Sequence, residues 1–269
     1  MTYGEIRERL KKNGIENFDG EARLLIEELC GDFSFDREYS SQTLADAVEK
    51  RCGHYPLQYI IGKWWFCRCE FYVDENCLIP RPDTELAVET AQKLLPQRAR
   101  FADLCTGSGC IAISLLDLRA DLCGLAVDLY PKTLDIAKKN AEKNSVSDRI
   151  SFRLGDVLSQ GLLGDEIFDA IISNPPYIKS DVVPTLSSEV GYEPQAALDG
   201  GDDGLIFYRA MIDNFAKNLS SDGCFIFEIG YDQADDIRSV ACERGFYCEI
   251  KKDLGGNDRV AVLRRESLK

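Results

Sequence analysis

From residue 100 onward, short apolar runs alternate with amphipathic segments of helical period, and no other feature restricts the fold so tightly. Residues 100–105, 122–128, 150–154, 168–173 and 224–229 read as buried strands. Residues 110–118, 131–144, 205–219 and 233–243 read as helices, the second with Pro131 near its first turn. Such alternation predicts a parallel, doubly wound α/β sheet. Two last strands, 246–251 and 259–263, are joined through residues 252–258 alone. A parallel crossover needs about a dozen residues or more, so this pair is expected to be antiparallel.

The chain changes character near residues 75–85. Before that point the periods are helical and short. Thr2 and Glu5 make a capping-box pattern, with Gly14 as a stop. Asp19 is placed to cap a second helix carrying Leu24, Leu25, Ile26 and Leu29 and closed by Gly31, and a third carries Leu44, Ala45 and Val48 up to Gly53. Then Trp65, Cys67, Cys69, Phe71 and Val73 alternate with other residues, which predicts strands in a hairpin, with Cys67 and Cys69 on one strand face. The expected organisation is a small helical unit (1–60), a hairpin linker (61–84) and an α/β domain (85–269). Three short helices bury little by themselves, so the first unit is expected to dock on the rest or on a partner.

The net charge of −14 argues against a long phosphate backbone as ligand, because that affinity rests on Lys and Arg. It suits a small molecule or a basic protein partner. No apolar run is long enough to span a membrane. The start, Met1-Thr2-Tyr3-Gly4-Glu5, lacks an apolar signal core and reads as that of a cytosolic, cytoplasmic protein. The eleven cysteines are scattered and never spaced C-x-x-C, and several lie in apolar runs, which suggests reduced, buried thiols rather than disulfides or a metal site. One histidine, His54, makes no zinc site.

The glycine loop Asp103-Leu104-Cys105-Thr106-Gly107-Ser108-Gly109 leaves the first of these strands and enters a helix. Asp128 ends the next strand, where a carboxylate can accept both hydroxyls of a ribose. These two features signal a nucleoside cofactor and by themselves leave NAD and S-adenosylmethionine open. Asp103, ahead of the glycines, is placed to face a cationic amino acid group, and Asp156, after the third strand, to take an adenine amino group. Both favour the methyl donor. Asn174-Pro175-Pro176-Tyr177 follows the fourth strand. Two prolines fix two φ angles and remove two donors, leaving a rigid turn with an amide, bare carbonyls and an aromatic ring. A surface turn explains the composition but not its place in the site order. Residues 179–203 lack periodicity and read as a rim of the substrate channel or an insertion without order.

These segments carry a resemblance that spans nearly the whole chain. With Gly53-x-x-Pro56-Leu57-Gln58-Tyr59-Ile60-x-Gly62, Leu78-Ile79-Pro80-Arg81-Pro82-Asp83-Thr84-Glu85, Tyr192-Glu193-Pro194, Ala197-Leu198-x-Gly200-Gly201-x-x-Gly204-Leu205 and Gly256-x-Asp258-Arg259, the sequence resembles the HemK/PrmC-type protein-(glutamine-N5) methyltransferases acting on peptide chain release factors. The resemblance implies a Rossmann-like, seven-stranded, S-adenosylmethionine-dependent methyltransferase fold with a small N-terminal helical domain that helps dock the release factor. It implies that Cys105, Thr106, Gly107, Ser108, Gly109, Asp128, Asp156, Val157 and Asn174 line the cofactor pocket. It also implies that Asn174, Pro175, Pro176 and Tyr177 hold the substrate glutamine, which stands in a Gly-Gly-Gln loop. One departure is Cys105, where the family commonly has glycine; a tighter cofactor loop is expected.

An amide nitrogen is a poor nucleophile, because its lone pair is delocalised into the carbonyl. It must be held in line with the methyl donor. The Asn174 side-chain oxygen and the Pro175 carbonyl can each accept one amide N–H, and Tyr177 can pack against the planar amide. The same grip suits an adenine amino group, so an adenine-N6 methyltransferase on DNA or RNA is the alternative; the acidic charge and the missing basic recognition domain disfavour it. A non-enzymatic nucleoside-binding module leaves the acceptor grip unexplained. Nucleic acid and membrane are not expected as partners, and the oligomeric state is not legible.

Overall fold

The structure, a computed structural model, describes residues 1–265. Its first helix, α1 (Tyr3–Lys12), starts from the reciprocal capping box of Thr2 and Glu5. The second, α2 (Phe18–Cys30), starts after Asn17, which makes no side-chain cap, with Asp19 inside the first turn, and it ends at left-handed Gly31. Ser41 caps α3 (Gln42–Cys52). A short α4 (Leu57–Ile61), which sequence periodicity did not predict, follows. Ile6, Leu10, Leu25, Ile26, Leu44 and Val48 pack together between these helices.

The hairpin corrects one expectation. Strands β1 (Lys63–Phe66) and β2 (Cys69–Tyr72) pair Phe66 with Cys69 and Trp64 with Phe71. Cys67 is therefore in the two-residue turn, at φ 50°, and not on a strand face beside Cys69. Paired residues share a face, and a two-residue turn reverses the parity of their numbers. Trp65 consequently faces solvent, whereas Phe66 and Phe71 are buried.

A helix that the sequence reading passed over, α5 (Glu85–Leu94), precedes the sheet after a single 3-10 turn at Pro82–Thr84. Its buried face is built from Ala87, Val88, Thr90 and Ala91, mostly small side chains that give a weak hydrophobic signal. The sheet comprises β3 (Arg100–Leu104), β4 (Cys123–Asp128), β5 (Ile150–Leu154), β6 (Phe168–Ser173), β7 (Leu219–Glu228), β8 (Phe246–Lys252) and β9 (Asp258–Arg265). The strand order is β5-β4-β3-β6-β7-β9-β8, parallel except that β9 runs antiparallel to both neighbours. The expected reversed final pair is thus present, and β9 is wedged between β7 and β8.

Helices α6 (Cys110–Leu118), α7 (Pro131–Lys143), α8 (Ile206–Phe215) and α9 (Ala234–Cys242) cover the sheet. Alternate strand residues feed two cores. Phe101, Ala126, Ala170, Ile172 and Ile226 meet α5, α6, α7 and the hairpin, while Leu104, Val127, Ile171, Phe225 and Phe227 meet α8 and α9. The helix expected over 205–219 ends at Phe215, and Leu219 opens β7 by pairing with Phe168; a register shift between Phe168 and Ala170 absorbs the extra length. Residues 179–203 hold three short 3-10 turns, Val183–Thr185, Val190–Tyr192 and Gln195–Ala197. No described helix is long and apolar enough to cross a membrane.

Candidate active site

The sheet order reverses direction between β3 and β6, and a crevice opens there at the carboxyl ends of the strands. It holds a cavity of about 360 Å³, within the roughly 300–1,000 Å³ of small-molecule pockets. Cys105, Thr106, Gly107, Ser108, Asp128, Asp156, Val157, Asn174 and Pro176 line it. Asp103, Gly109, Pro175 and Tyr177 do not.

Asp103 is fully buried beneath the glycine loop, where one carboxylate oxygen accepts from Thr106 Oγ1 at 2.6 Å and from the Ala112 amide at 3.2 Å. Burial pushes this carboxyl up to about 7. The bonded oxygen braces the loop, while the other, Oδ1, accepts no hydrogen bond from any described residue. Gly109 starts α6 at φ 83°, packed against Ile113 and Ala137. Cys105 carries its own strain at φ 58°, the left-handed region where glycine is at ease.

Asp128 closes the loop from below: one oxygen accepts from the Gly107 amide at 2.9 Å, the other from the Tyr130 amide at 3.1 Å. Burial raises its pKa. Asp156 accepts from the Leu158 amide at 2.8 Å and has no cation paired with it among the described residues. Asn140, on α7 and fully buried, ties the loop to the hairpin through the Ser108 carbonyl at 2.9 Å and both backbone polar groups of Tyr72.

Asn174 follows β6 directly. Its Nδ2 donates to Thr84 Oγ1 at 3.2 Å, and Oδ1 takes no hydrogen bond from any described residue. Tyr177 turns its ring away from the cavity, its hydroxyl donating to Glu228 Oε1 at 3.4 Å. Its carbonyl accepts from Gln233 Nε2 at 3.1 Å. Glu228 ends β7, and burial pushes its carboxyl up to about 7 against the lowering effects of Thr84 and Arg259.

Sequence reasoning assigned no role to several residues here. Residues 76–81 and Thr84 line one side of the cavity, Arg81 among them. Glu193, buried inside loop 179–203, accepts from the Ile79 amide at 3.0 Å and pairs with Arg81, which fastens the loop across the cavity mouth. Burial raises its pKa, and Arg81 lowers it. The loop also meets the N-terminal unit: Tyr192 donates to the Gly53 carbonyl, and Glu189 pairs with Arg51 at 3.2 Å. A charged residue within an otherwise apolar run, as in Phe225-Ile226-Phe227-Glu228, was the available sign for Glu228.

A parallel sheet ending in one reversed strand pair, with its crevice at the topological switch, is the architecture of Rossmann-like methyltransferases. The hMettl16 catalytic domain shares the fold at a TM-score of 0.58 and 17% identity, over 83% of this chain and 79% of that one. The family model of the methyltransferase small domain matches residues 82–192, and that of the PrmC N-terminal domain matches 3–62. The release factor glutamine methyltransferase of Thermodesulfovibrio yellowstonii is 38% identical over 84% of this chain and 82% of its own. That of Caulobacter vibrioides is 36% identical over 95% and 92%. The chain belongs to the release factor glutamine methyltransferase family.

Proposed function

We propose that this protein transfers the methyl group of S-adenosylmethionine to the side-chain amide nitrogen, N5, of the glutamine in the Gly-Gly-Gln loop of peptide chain release factors, in support of translation termination. The observation that carries the reading is the tethered Asn174, whose nitrogen is bonded to Thr84 while its oxygen is left as a free acceptor at the cavity.

The residues present suit the cofactor. Asp128 and Asp156 offer acceptors to ribose hydroxyls and to an adenine amino group, and neither pairs with a cation among the described residues. A Cβ built at Gly107 meets no atom within 4 Å, so the loop leaves open space where a side chain would stand. S-adenosylmethionine supplies a sulfonium-bound methyl group, whose carbon–sulfur bond breaks as the carbon–nitrogen bond forms, leaving a thioether and one proton for water. Asn174 Oδ1, at the cavity, accepts one amide hydrogen and the carbonyl of Pro175, the next residue though not itself on the cavity lining, the other, which orients the nitrogen and stabilises the positive charge it gains. The two prolines hold both acceptors without motion. Residues 1–60 act as the docking unit for the release factor, 61–84 as linker and 85–269 as the catalytic domain, in the cytoplasm.

Substitution Asn174→Ala is expected to lower kcat by about a hundredfold or more, the scale of losing one transition-state hydrogen-bonding group, with S-adenosylhomocysteine affinity changed little. Transfer of radiolabel to a release factor checks both the substrate and the role. Label lost when the Gly-Gly-Gln glutamine is replaced by alanine supports the reading; label on nucleic acid in place of the factor overturns it.

A further inference from the structure

Glu228 lies under the Asn174–Tyr177 turn and has neighbours at both of its ends. Tyr177 donates to Oε1 at 3.4 Å. Oε2 has no hydrogen-bond partner among the described residues, although the residue is 1% exposed. Thr84 adjoins this carboxylate and is equally buried. A hydroxyl has one proton and two lone pairs. The Thr84 oxygen takes the Asn174 Nδ2 hydrogen, which leaves the Thr84 proton to be placed on another acceptor. Buried polar groups are paired in folded proteins, and one arrangement satisfies both: Thr84 donates to Glu228 and accepts from Asn174.

We propose that Glu228 is a positioning residue that sets the orientation of the Asn174 amide through Thr84, keeping Oδ1 toward the substrate. With Glu228 ionised, the Thr84 proton is committed, and only Nδ2 of Asn174 can bond the Thr84 oxygen. With Glu228 protonated, its own O–H donates to Thr84, and the freed Thr84 proton competes for Asn174 Oδ1. The amide then turns a donor, not an acceptor, toward the glutamine –NH2. The other groups facing the carboxylate are Asp83 before α5, Tyr177, Arg259 on β9, the Cys110 thiol on α6 and Tyr208 on α8, whose hydroxyl donates to the Glu228 carbonyl. Arg259 favours the ionised form, Asp83 opposes it, and burial raises the pKa most, to about 7.

The inference rests on the glutamine-methylating reading and is tested with the full chain and a release factor, between about pH 6 and pH 8. Wild type is expected to gain kcat as pH rises through about 7, with an unchanged KM for S-adenosylmethionine. Glu228→Gln flattens that acidic limb without lowering Tm at about pH 8, where it removes a buried charge. Thr84→Val lowers kcat about tenfold, the scale of one hydrogen bond, and Thr84→Ser restores it. The double variant is no slower than Thr84→Val alone, because both act through one bond. A limb that persists in Glu228→Gln, or losses that multiply in the double variant, overturns the inference while the methylation stands. Absence of wild-type label on the factor at every pH instead defeats the functional reading itself. If Glu228→Gln does not fold, Thr84→Val without a kcat loss decides against the inference.

Discussion

At the scale of single residues, Cys105 shows how a departure from a pattern acquires a physical meaning. Its φ of 58° puts a Cβ where the chain favours glycine. Cys105→Gly is expected to stabilise the protein by about 1 kcal/mol, the strain relieved less the entropy glycine adds to the unfolded chain. The urea midpoint measures this, and a lower midpoint would show the strain to be absent. Asn174, Asp128 and Asp156 were legible because each stands at or just after a strand's carboxyl end, whereas Val157 entered only through the family resemblance. Thr84 was visible as part of a segment but had no role, since its partner Asn174 is 90 positions away. Tyr177 was legible as an aromatic ring and not as one turned from the cavity toward Glu228.

Among the elements, loop 179–203 depends on close backbone approach. Ile178, just before the loop, is tied to its far end: the Ile178 amide donates to the Leu198 carbonyl, and the Ile178 carbonyl accepts from the Gly200 amide. Gly204 sits at φ 75°, where an added Cβ would stand 2.4 Å from the Tyr177 carbonyl oxygen and 2.7 Å from Gln233 Nε2. Gly204→Ala is therefore expected to cost about 1–3 kcal/mol and to slow turnover by displacing Tyr177. Gly191→Ala, within loop 179–203 and with no described atom within 4 Å of an added Cβ, is the control and should change stability by less than about 0.5 kcal/mol. Thermal denaturation of the pair, read beside kcat, checks the argument; equal effects would refute it. Loop 179–203 has no period because its turns are single 3-10 turns, held by Glu193, Tyr192 and Glu189 through distant partners.

At the scale of the whole molecule, burial of carboxyl groups sets how stability varies with pH. Asp103 and Glu228 are each pushed up to about 7 by burial, above their values in an unfolded chain. Between about pH 4.5 and 7 the folded protein keeps protons that the unfolded chain has released, so stability falls as pH rises through that window. The fall is on the order of 3 kcal/mol per group. Surface carboxylates lowered by cationic partners, such as Glu70 beside Lys143, act oppositely and lose their contribution at lower pH. Urea titrations are expected to show maximum stability near about pH 5, declining toward pH 8; a rise over that interval would contradict it. The sequence alone determined most strand and helix segments of the α/β part, α5 and the start of β7 excepted, the reversed last pair and the order of site elements along the chain. Those follow from side-chain period, caps and crossover length, all confined to neighbouring residues. Only the tertiary structure decided that β9 lies between β7 and β8, which hairpin face is buried, and that Glu228 meets Thr84 while Glu193 reaches Ile79 across 114 positions. Desolvation and hydrogen-bond pairing depend on which distant segments close over a group, and no local pattern records that.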